Sequence, residues 1–132
     1  MAKILYVEDN EDNIYLLTRR LARLGHHVEV ARDGEEGVQR VKLGQPDLVI
    51  MDLVLPRLDG WEATRRIKAD PATASIPVLA LSASAMPGDE DSARRAGCED
   101  FEPKPVDFQR LHEKIERLLA AGGCGGPQPD SE

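Results

Sequence analysis

Asp47-Leu48-Val49-Ile50-Met51-Asp52 is the stretch that decides the fold. It is the most apolar run of the chain, so it predicts a central strand over residues 47–51 with Asp52 at its carboxyl end. Three further short runs end in the same way. Residues 4–7 (Ile-Leu-Tyr-Val) end in Glu8-Asp9, residues 78–81 (Val-Leu-Ala-Leu) end in Ser82, and Phe101 is soon followed by Lys104-Pro105. Apolar runs of this length, separated by helix-like stretches, read as buried parallel strands. In an open α/β sheet, ligands bind outside the carboxyl ends of the strands. The pattern therefore brings three carboxylates, a hydroxyl and an ammonium to one edge, a set suited to a divalent cation and a phosphoryl group.

The segments between the runs fit that reading. Residues 11–24 place Ile14, Leu17, Leu21 and Leu24 at helical spacing before Gly25, a C-terminal stop. Residues 27–31 alternate as a more exposed strand, and Asp33 or Gly34 opens a helix to Leu43 that Gly44 ends. After a loop with Pro56 and Gly60, a helix is expected over residues 61–69, broken by Asp70-Pro71. Pro87-Gly88-Asp89 starts another that stops at Gly97, ahead of a short strand over 100–102. The last helix, residues 106–119, buries Phe108, Leu111, Ile115, Leu118 and Leu119. Five strands alternating with five helices predict a doubly wound α/β fold with a parallel sheet in the order 2-1-3-4-5. That order puts Asp52 beside Glu8-Asp9 at the switch point.

Composition excludes several classes. At 132 residues the chain makes one domain with a proper core. A formal net charge of −7 argues against a nucleic-acid surface, which needs clustered Lys and Arg. No apolar stretch approaches the roughly 20 residues of a membrane span, so no membrane insertion is expected. The N-terminus runs straight into an expected strand, so no signal peptide is expected. Cys98 and Cys124 have neither zinc nor redox spacing and read as free thiols, consistent with a cytoplasmic protein. The domain is expected to span residues 1–121, with a flexible Gly-, Pro- and acid-rich tail at 122–132.

With these motifs in order, the chain resembles a response-regulator receiver domain. The resemblance rests on Val7-Glu8-Asp9-Asn10, the 47–52 run with Leu55-Pro56 and Asp59-Gly60, Ala80-Leu81-Ser82-Ala83, Met86 with Gly88-Asp89, Ala96-Gly97-Cys98, and Phe101 with Lys104-Pro105. It covers nearly everything from Lys3 to Leu119. The stretch 86–89 is similar to single-domain regulators of cell division and polarity, and equally to receivers at the end of hybrid kinases. The fold it implies is flavodoxin-like, of the CheY-like kind.

The resemblance implies Asp52 as phosphoacceptor, with Lys104 and Ser82 contacting phosphoryl oxygens and a cis Lys104-Pro105 peptide aiming the ammonium. It implies Mg²⁺ (with Mn²⁺ as a possible substitute) on Glu8, Asp9, Asp52 and the Val54 backbone carbonyl. Hard oxygen donors are what Mg²⁺ prefers, and an ionised Asp is the nucleophile that phosphoryl transfer requires. Ser82 and Phe101 would form the switch; the alternative for Phe101 is a permanently buried core ring. Val54 and Ser84 fill positions that tune phosphoryl lifetime in the family, and an apolar Val54 cannot orient water, so a long-lived aspartyl phosphate is expected.

The implied partners are a sensor histidine kinase or histidine phosphotransfer protein upstream and a protein target downstream, with no direct nucleic-acid contact. The domain would catalyse only its own phosphorylation and dephosphorylation. Arg19, Arg20 and Arg23 mark a candidate docking helix, and Arg94-Arg95 a second charged patch. An Asp-nucleophile phosphatase of the haloacid-dehalogenase type wants an acid two residues after the nucleophile, where Val54 stands. A flavin binder wants a Ser/Thr-rich loop after the first strand. A constitutive scaffold fits poorly with a complete acid, hydroxyl and lysine set. His26, His27 and His112 are scattered and read as surface or strand residues, and Trp61 as helix packing or a reporter beside the site.

Overall fold

The computed structural model describes residues 2–53, 59–82, 88–104 and 106–122. In chain order the elements are β1 (Lys3–Val7), α1 (Glu11–Arg23), β2 (His27–Ala31), α2 (Gly34–Gly44), β3 (Leu48–Asp52), α3 (Gly60–Ala69), β4 (Val78–Ser82), α4 (Asp89–Ala96), β5 (Asp100–Pro103) and α5 (Phe108–Gly122). All strand pairings are parallel, in the order β2-β1-β3-β4-β5. The expected topology is the observed one.

Alternation along the strands divides the interior into two cores. Ile4, Tyr6, Leu48, Ile50, Leu79 and Leu81 face α1 and α5, while Leu5, Val7, Val49, Met51, Val78, Ala80 and Phe101 face α2, α3 and α4. All five residues of β3 are buried, whereas β2 at the sheet edge is half open. The continuous apolar run at 48–51 is thus the mark of a strand covered on both faces.

Four helices begin with the same device. Asn10, Asp33, Asp59 and Asp107 each accept a hydrogen bond from the backbone N–H three residues on, at 3.0, 2.8, 2.9 and 3.1 Å. Such caps satisfy an otherwise orphaned donor and are worth about 1 kcal/mol each. Because each stands between the end of a strand and the start of a helix, the caps also fix how the chain turns at the functional edge.

Several expected details are corrected. Leu24 lies beyond the end of α1 and is 46% exposed, since the helix closes one residue earlier. At the end of α2 the left-handed position falls on Gln45 (φ 48°), with Gly44 still helical. The Gln45 amide donates to the Lys42 carbonyl at 3.1 Å, capping the exposed helix end. Helix α5 starts at Phe108, two residues late, because Asp107 is its cap, and it runs on to Gly122. Most of the expected tail, including Cys124, lies outside the described residues. Cys98 is buried beside Thr64, and burial pushes its thiol up to about 11, as befits an inert cysteine.

At two of the described glycines an added side chain would collide with its surroundings. At Gly97 φ is +111°, and an added Cβ would come within 2.7 Å of Lys68 Cγ. The Lys68 ammonium is held by the carbonyls of Ala74 and Ile76 and by Glu99, so it yields little. At Gly60 a Cβ would stand 2.3 Å from the Asp52 carbonyl oxygen and 2.6 Å from Leu53 Cα. Gly60→Ala must therefore push backbone away from the end of β3. A loss of about 3 kcal/mol in urea unfolding is expected; an unchanged midpoint would show that the loop yields freely.

His26 departs most from expectation, being buried rather than on the surface. Its Nδ1 accepts from the Ala2 N–H at 3.2 Å, and its Nε2 faces Glu116 at 3.7 Å. Burial lowers its pKa; Glu116 works against this, and the chain's amino terminus and His112 work with it. The unfolded chain then binds the proton more tightly than the native one, so neutral His26 stabilises the fold above the ordinary histidine range. That contribution is lost as pH falls through about 6.5. His26→Gln, which keeps an acceptor for Ala2, should lose less stability than the parent between pH 7 and 5.5 in paired urea titrations. Parallel slopes would contradict this.

Candidate functional site

The site sits at the carboxyl ends of β1, β3, β4 and β5. The register pairs Val7 with Met51, Asp52 with Leu81 and Ser82 with Pro103, so Glu8, Asp52, Ser82 and Lys104 fall within two residues of one another along the strand direction, at one edge of the sheet. Glu8, Asp52 and Ser82 are buried, at 1%, 4% and 4% exposure, while Asp9 is exposed. The Lys104 backbone N–H donates to the Ser82 carbonyl at 2.7 Å, anchoring the turn after β5 against β4. Its ammonium stands 3.2 Å from both Glu8 Oε1 and Asp52 Oδ2.

Glu8, Asp9 and Asp52 each offer an oxygen within 4.8 Å of the others. An all-oxygen, acid-rich set suits Mg²⁺, a hard ion that takes one or two carboxylates and keeps several waters. Among the described residues no other group of acids, histidines and cysteines is so arranged. Burial works to raise the Glu8 pKa. A hydrogen bond with Asp52, the Lys104 ammonium, the Asn10 N–H and the Tyr6 hydroxyl outweigh it and hold the carboxyl below the usual glutamate value. Burial works against the charge of Lys104, but Asp52 and Glu8 outweigh it and raise its pKa. The ammonium stays charged at neutral pH.

Phe101 is 7% exposed and packs in the core with Val78, Ala80, Ala93 and Cys98. Trp61, half-buried on α3, packs against the same core. Val54, Ser84 and Pro105, and with them the backbone ligand, the lifetime positions and the cis peptide, lie outside the described residues. Of the arginines singled out, Arg20 lies over the Phe108 ring at 4.2 Å, and Arg19 over Tyr15 at 5.2 Å. Together with Leu17, Leu21, Leu24 and Leu111, Arg20 and Phe108 line a groove of about 320 Å³ between α1 and α5. Arg94 is engaged with the Glu99 carbonyl and Asp100.

Three contributors escape the sequence reading. Tyr6 donates its hydroxyl to Glu8 Oε1 at 2.9 Å, and Asn13 donates its side-chain amide to the same oxygen at 3.4 Å. Tyr6 and Glu8 are two apart on a strand and so share a face. A phenol in a buried strand two residues before an acid was the available signal. Glu102 is fully buried under α5, where Arg110 grips it at 2.9 Å, Lys114 meets it at 2.9 Å and the Asp107 N–H at 3.4 Å. It ties α5 to β5 on either side of Lys104. Nothing in its sequence neighbourhood separates it from a surface glutamate.

Comparison with known proteins now places this arrangement. The family description "Response regulator receiver domain" matches residues 4–116. The chain belongs to the response regulator receiver family. The receiver is 38% identical over 120 residues to Protein PilH of Pseudomonas aeruginosa, covering 91% of this chain and 99% of that one. It is 37% identical over 116 residues to the polar-differentiation response regulator DivK of Brucella ovis, covering 88% and 94%. Among solved structures, a response regulator from Chloroflexus aurantiacus superposes with a TM-score of 0.87 at 30% identity, over 90% of this chain and 98% of that one. The receiver domain of a Pseudomonas aeruginosa sensor histidine kinase, described with a magnesium ion coordinated in its active-site cleft, gives 0.84 at 35% identity, over 89% and 97%. No helix among the receiver's described residues is long and apolar enough to cross a membrane.

Without a cation, three acids against one ammonium would leave the receiver's site with excess negative charge, even with a proton shared in the hydrogen bond between Glu8 and Asp52. At a few ångströms such repulsion costs on the order of kilocalories even when partly screened. In chelator, Asp52→Asn is therefore expected to be more stable than the parent by about 1 kcal/mol. Added Mg²⁺ should stabilise the parent, by about 1.4 kcal/mol at ten times its dissociation constant, and the variant much less. Urea titrations with and without Mg²⁺ would read this; a variant weaker than the parent in chelator would refute it.

Proposed function

We propose that this receiver accepts a phosphoryl group on Asp52 from a phosphohistidine of a sensor histidine kinase or a histidine phosphotransfer protein. The observation that carries the reading is Asp52 at the end of the central strand, bracketed by Glu8 and Asp9 on one side and the Lys104 ammonium on the other. In the transfer, an Asp52 carboxylate oxygen forms a bond to phosphorus as the bond from phosphorus to the donor's imidazole nitrogen breaks. The electron pair stays on that nitrogen, which takes up a proton. Such transfers are governed by positioning and charge stabilisation.

Mg²⁺, when held by oxygens of Glu8, Asp9 and Asp52 with the Val54 carbonyl, supplies positive charge against the phosphoryl oxygens; Mn²⁺ would substitute. Lys104 neutralises a further phosphoryl oxygen as a point charge, and the Ser82 hydroxyl donates to another. Asp52 lies on the α1/α5 side of the sheet and Ser82 on the α3/α4 side, so one anion engages both. Phe101 starts from a buried position between β4 and α4. The output is a repacking that alters the surface formed by α4, β5 and α5, where a downstream protein is met.

The donor's helices dock on α1, over the groove shared with α5. The domain catalyses its own phosphorylation and dephosphorylation and turns over no outside metabolite. Similarity to PilH and DivK supports a response regulator of that type acting in the cytoplasm, and similarity to the receiver of a sensor histidine kinase supports the alternative of a hybrid-kinase receiver.

Incubation with Mg²⁺ and acetyl phosphate, followed by intact mass, should show one added phosphoryl group. It should vanish in Asp52→Asn and on chelation, and Lys104→Ala should acquire it at least tenfold more slowly. A parent that takes neither phosphoryl nor beryllofluoride would overturn the reading in favour of a constitutive scaffold.

A further inference from the structure

The underside of the acidic cluster holds a group that the phosphotransfer reading does not use. Tyr6 lies mid-strand in β1, 1% exposed, among Ile4, Ile50 and Leu81. A phenol in such surroundings costs stability unless its hydroxyl finds a partner. The partner it finds is Glu8 Oε1, at 2.9 Å. That oxygen also accepts from Lys104 Nζ at 3.2 Å and from Asn13 Nδ2 at 3.4 Å, while Oε2 accepts from the Asn10 N–H at 3.2 Å.

These donors differ in what they are free to do. Lys104 is split between Glu8 and Asp52 at equal distances, and on the proposed function it turns to a phosphoryl oxygen. Glu8 then loses a charged donor while remaining 1% exposed. Among the described residues the Tyr6 hydroxyl is given to Glu8, and it keeps the carboxylate in place when the ammonium leaves. Asn13, half-buried on the first turns of α1, adds a weaker second hold.

From this, and resting on the phosphoacceptor reading, we infer that Tyr6 is the positioning residue of Glu8. Seconded by Asn13, it presents the carboxylate to the divalent cation and frees Lys104 for the phosphoryl group. Partners that orient metal-binding groups from behind typically set affinity by 10–100-fold.

Mg²⁺ titration of the purified protein, followed by calorimetry or by Trp61 fluorescence, tests the inference. Tyr6→Phe keeps the ring and removes only the hydroxyl, and should weaken Mg²⁺ binding about tenfold. Asn13→Ala, made on a half-exposed helix position, should weaken it about two- to threefold and serves if Tyr6→Phe does not fold. In a Glu8→Gln background, Tyr6→Phe should produce no further change in Mg²⁺ affinity, because its effect passes through Glu8. The slower phosphorylation of Tyr6→Phe by acetyl phosphate should recover at saturating Mg²⁺, which a general loss of structure would not allow. Parental Mg²⁺ affinity in both single variants, or an equal loss with Glu8→Gln already present, would overturn the assignment. A parent that binds no Mg²⁺ at all would bring down the reading of the acidic cluster itself, and the role of Tyr6 with it.

Discussion

Two buried carboxylates share one ammonium. Lys104 reaches Glu8 and Asp52 at the same distance, and the arrangement at the edge of the sheet depends on that balance. Without the ammonium, the ends of β1 and β3 would present like charges in low dielectric, a costly juxtaposition. With it, the charges are held together but not neutralised, since Asp9 adds a third carboxylate. The site is thereby left in a condition that a small divalent cation relieves. The same tension raises the pKa of Lys104 and lowers that of Glu8, so both stay ionised at neutral pH.

That balance is possible only because the topology delivers the groups to one edge of the sheet. Strands β1 and β3 are neighbours although a helix, an edge strand and another helix separate them in sequence. The chain leaves β1 in one direction and β3 in the other, and the crevice opens between them. The Asn10 cap turns the chain into α1 just after Glu8 and Asp9, and the Asp59 cap opens α3. Gly60 lets the start of α3 close against the Asp52 backbone. The β5–α5 turn is bracketed by the Lys104 N–H on Ser82 and by the buried Glu102 held from α5. Strand ends thus position the side chains that must meet: Asp52 and Ser82 close β3 and β4, and Glu8 and Lys104 stand one residue beyond β1 and β5.

The strands and their order were legible because the signal is local and redundant. Apolar runs of four to five residues, each closed by a polar residue and separated by helical periodicity, leave little freedom of assignment. Glu8, Asp9, Asp52, Ser82 and Lys104 were legible for the same reason, since strand ends converge in this architecture. Where the reading slipped, a non-local or one-residue effect was responsible. Leu24 fits the apolar periodicity of α1, yet the helix closes before it. Gly44 looks like a stop, but a glutamine that caps with its own side chain takes the left-handed position. His26 carries no mark of burial, which arises only when the start of β1 and α5 close over it. Tyr6 was hidden in plain view, counted as one more apolar residue of a strand. Glu102 had no sequence signal at all, because its partners lie eight and twelve residues away on a helix whose packing had first to be known.

The division of the interior by the sheet has a further consequence. Side chains on its two faces belong to separate cores, one under α1 and α5, the other under α2, α3 and α4. The rim at the carboxyl ends is where this partition stops, with Asp52 pointing to one side and Ser82, at the end of the next strand and beside it in the sheet, pointing to the other. A small anion lodged there would act as a fastener between the two compartments. Chemistry on the α1/α5 side would then be felt on the α3/α4 side without the sheet itself having to bend.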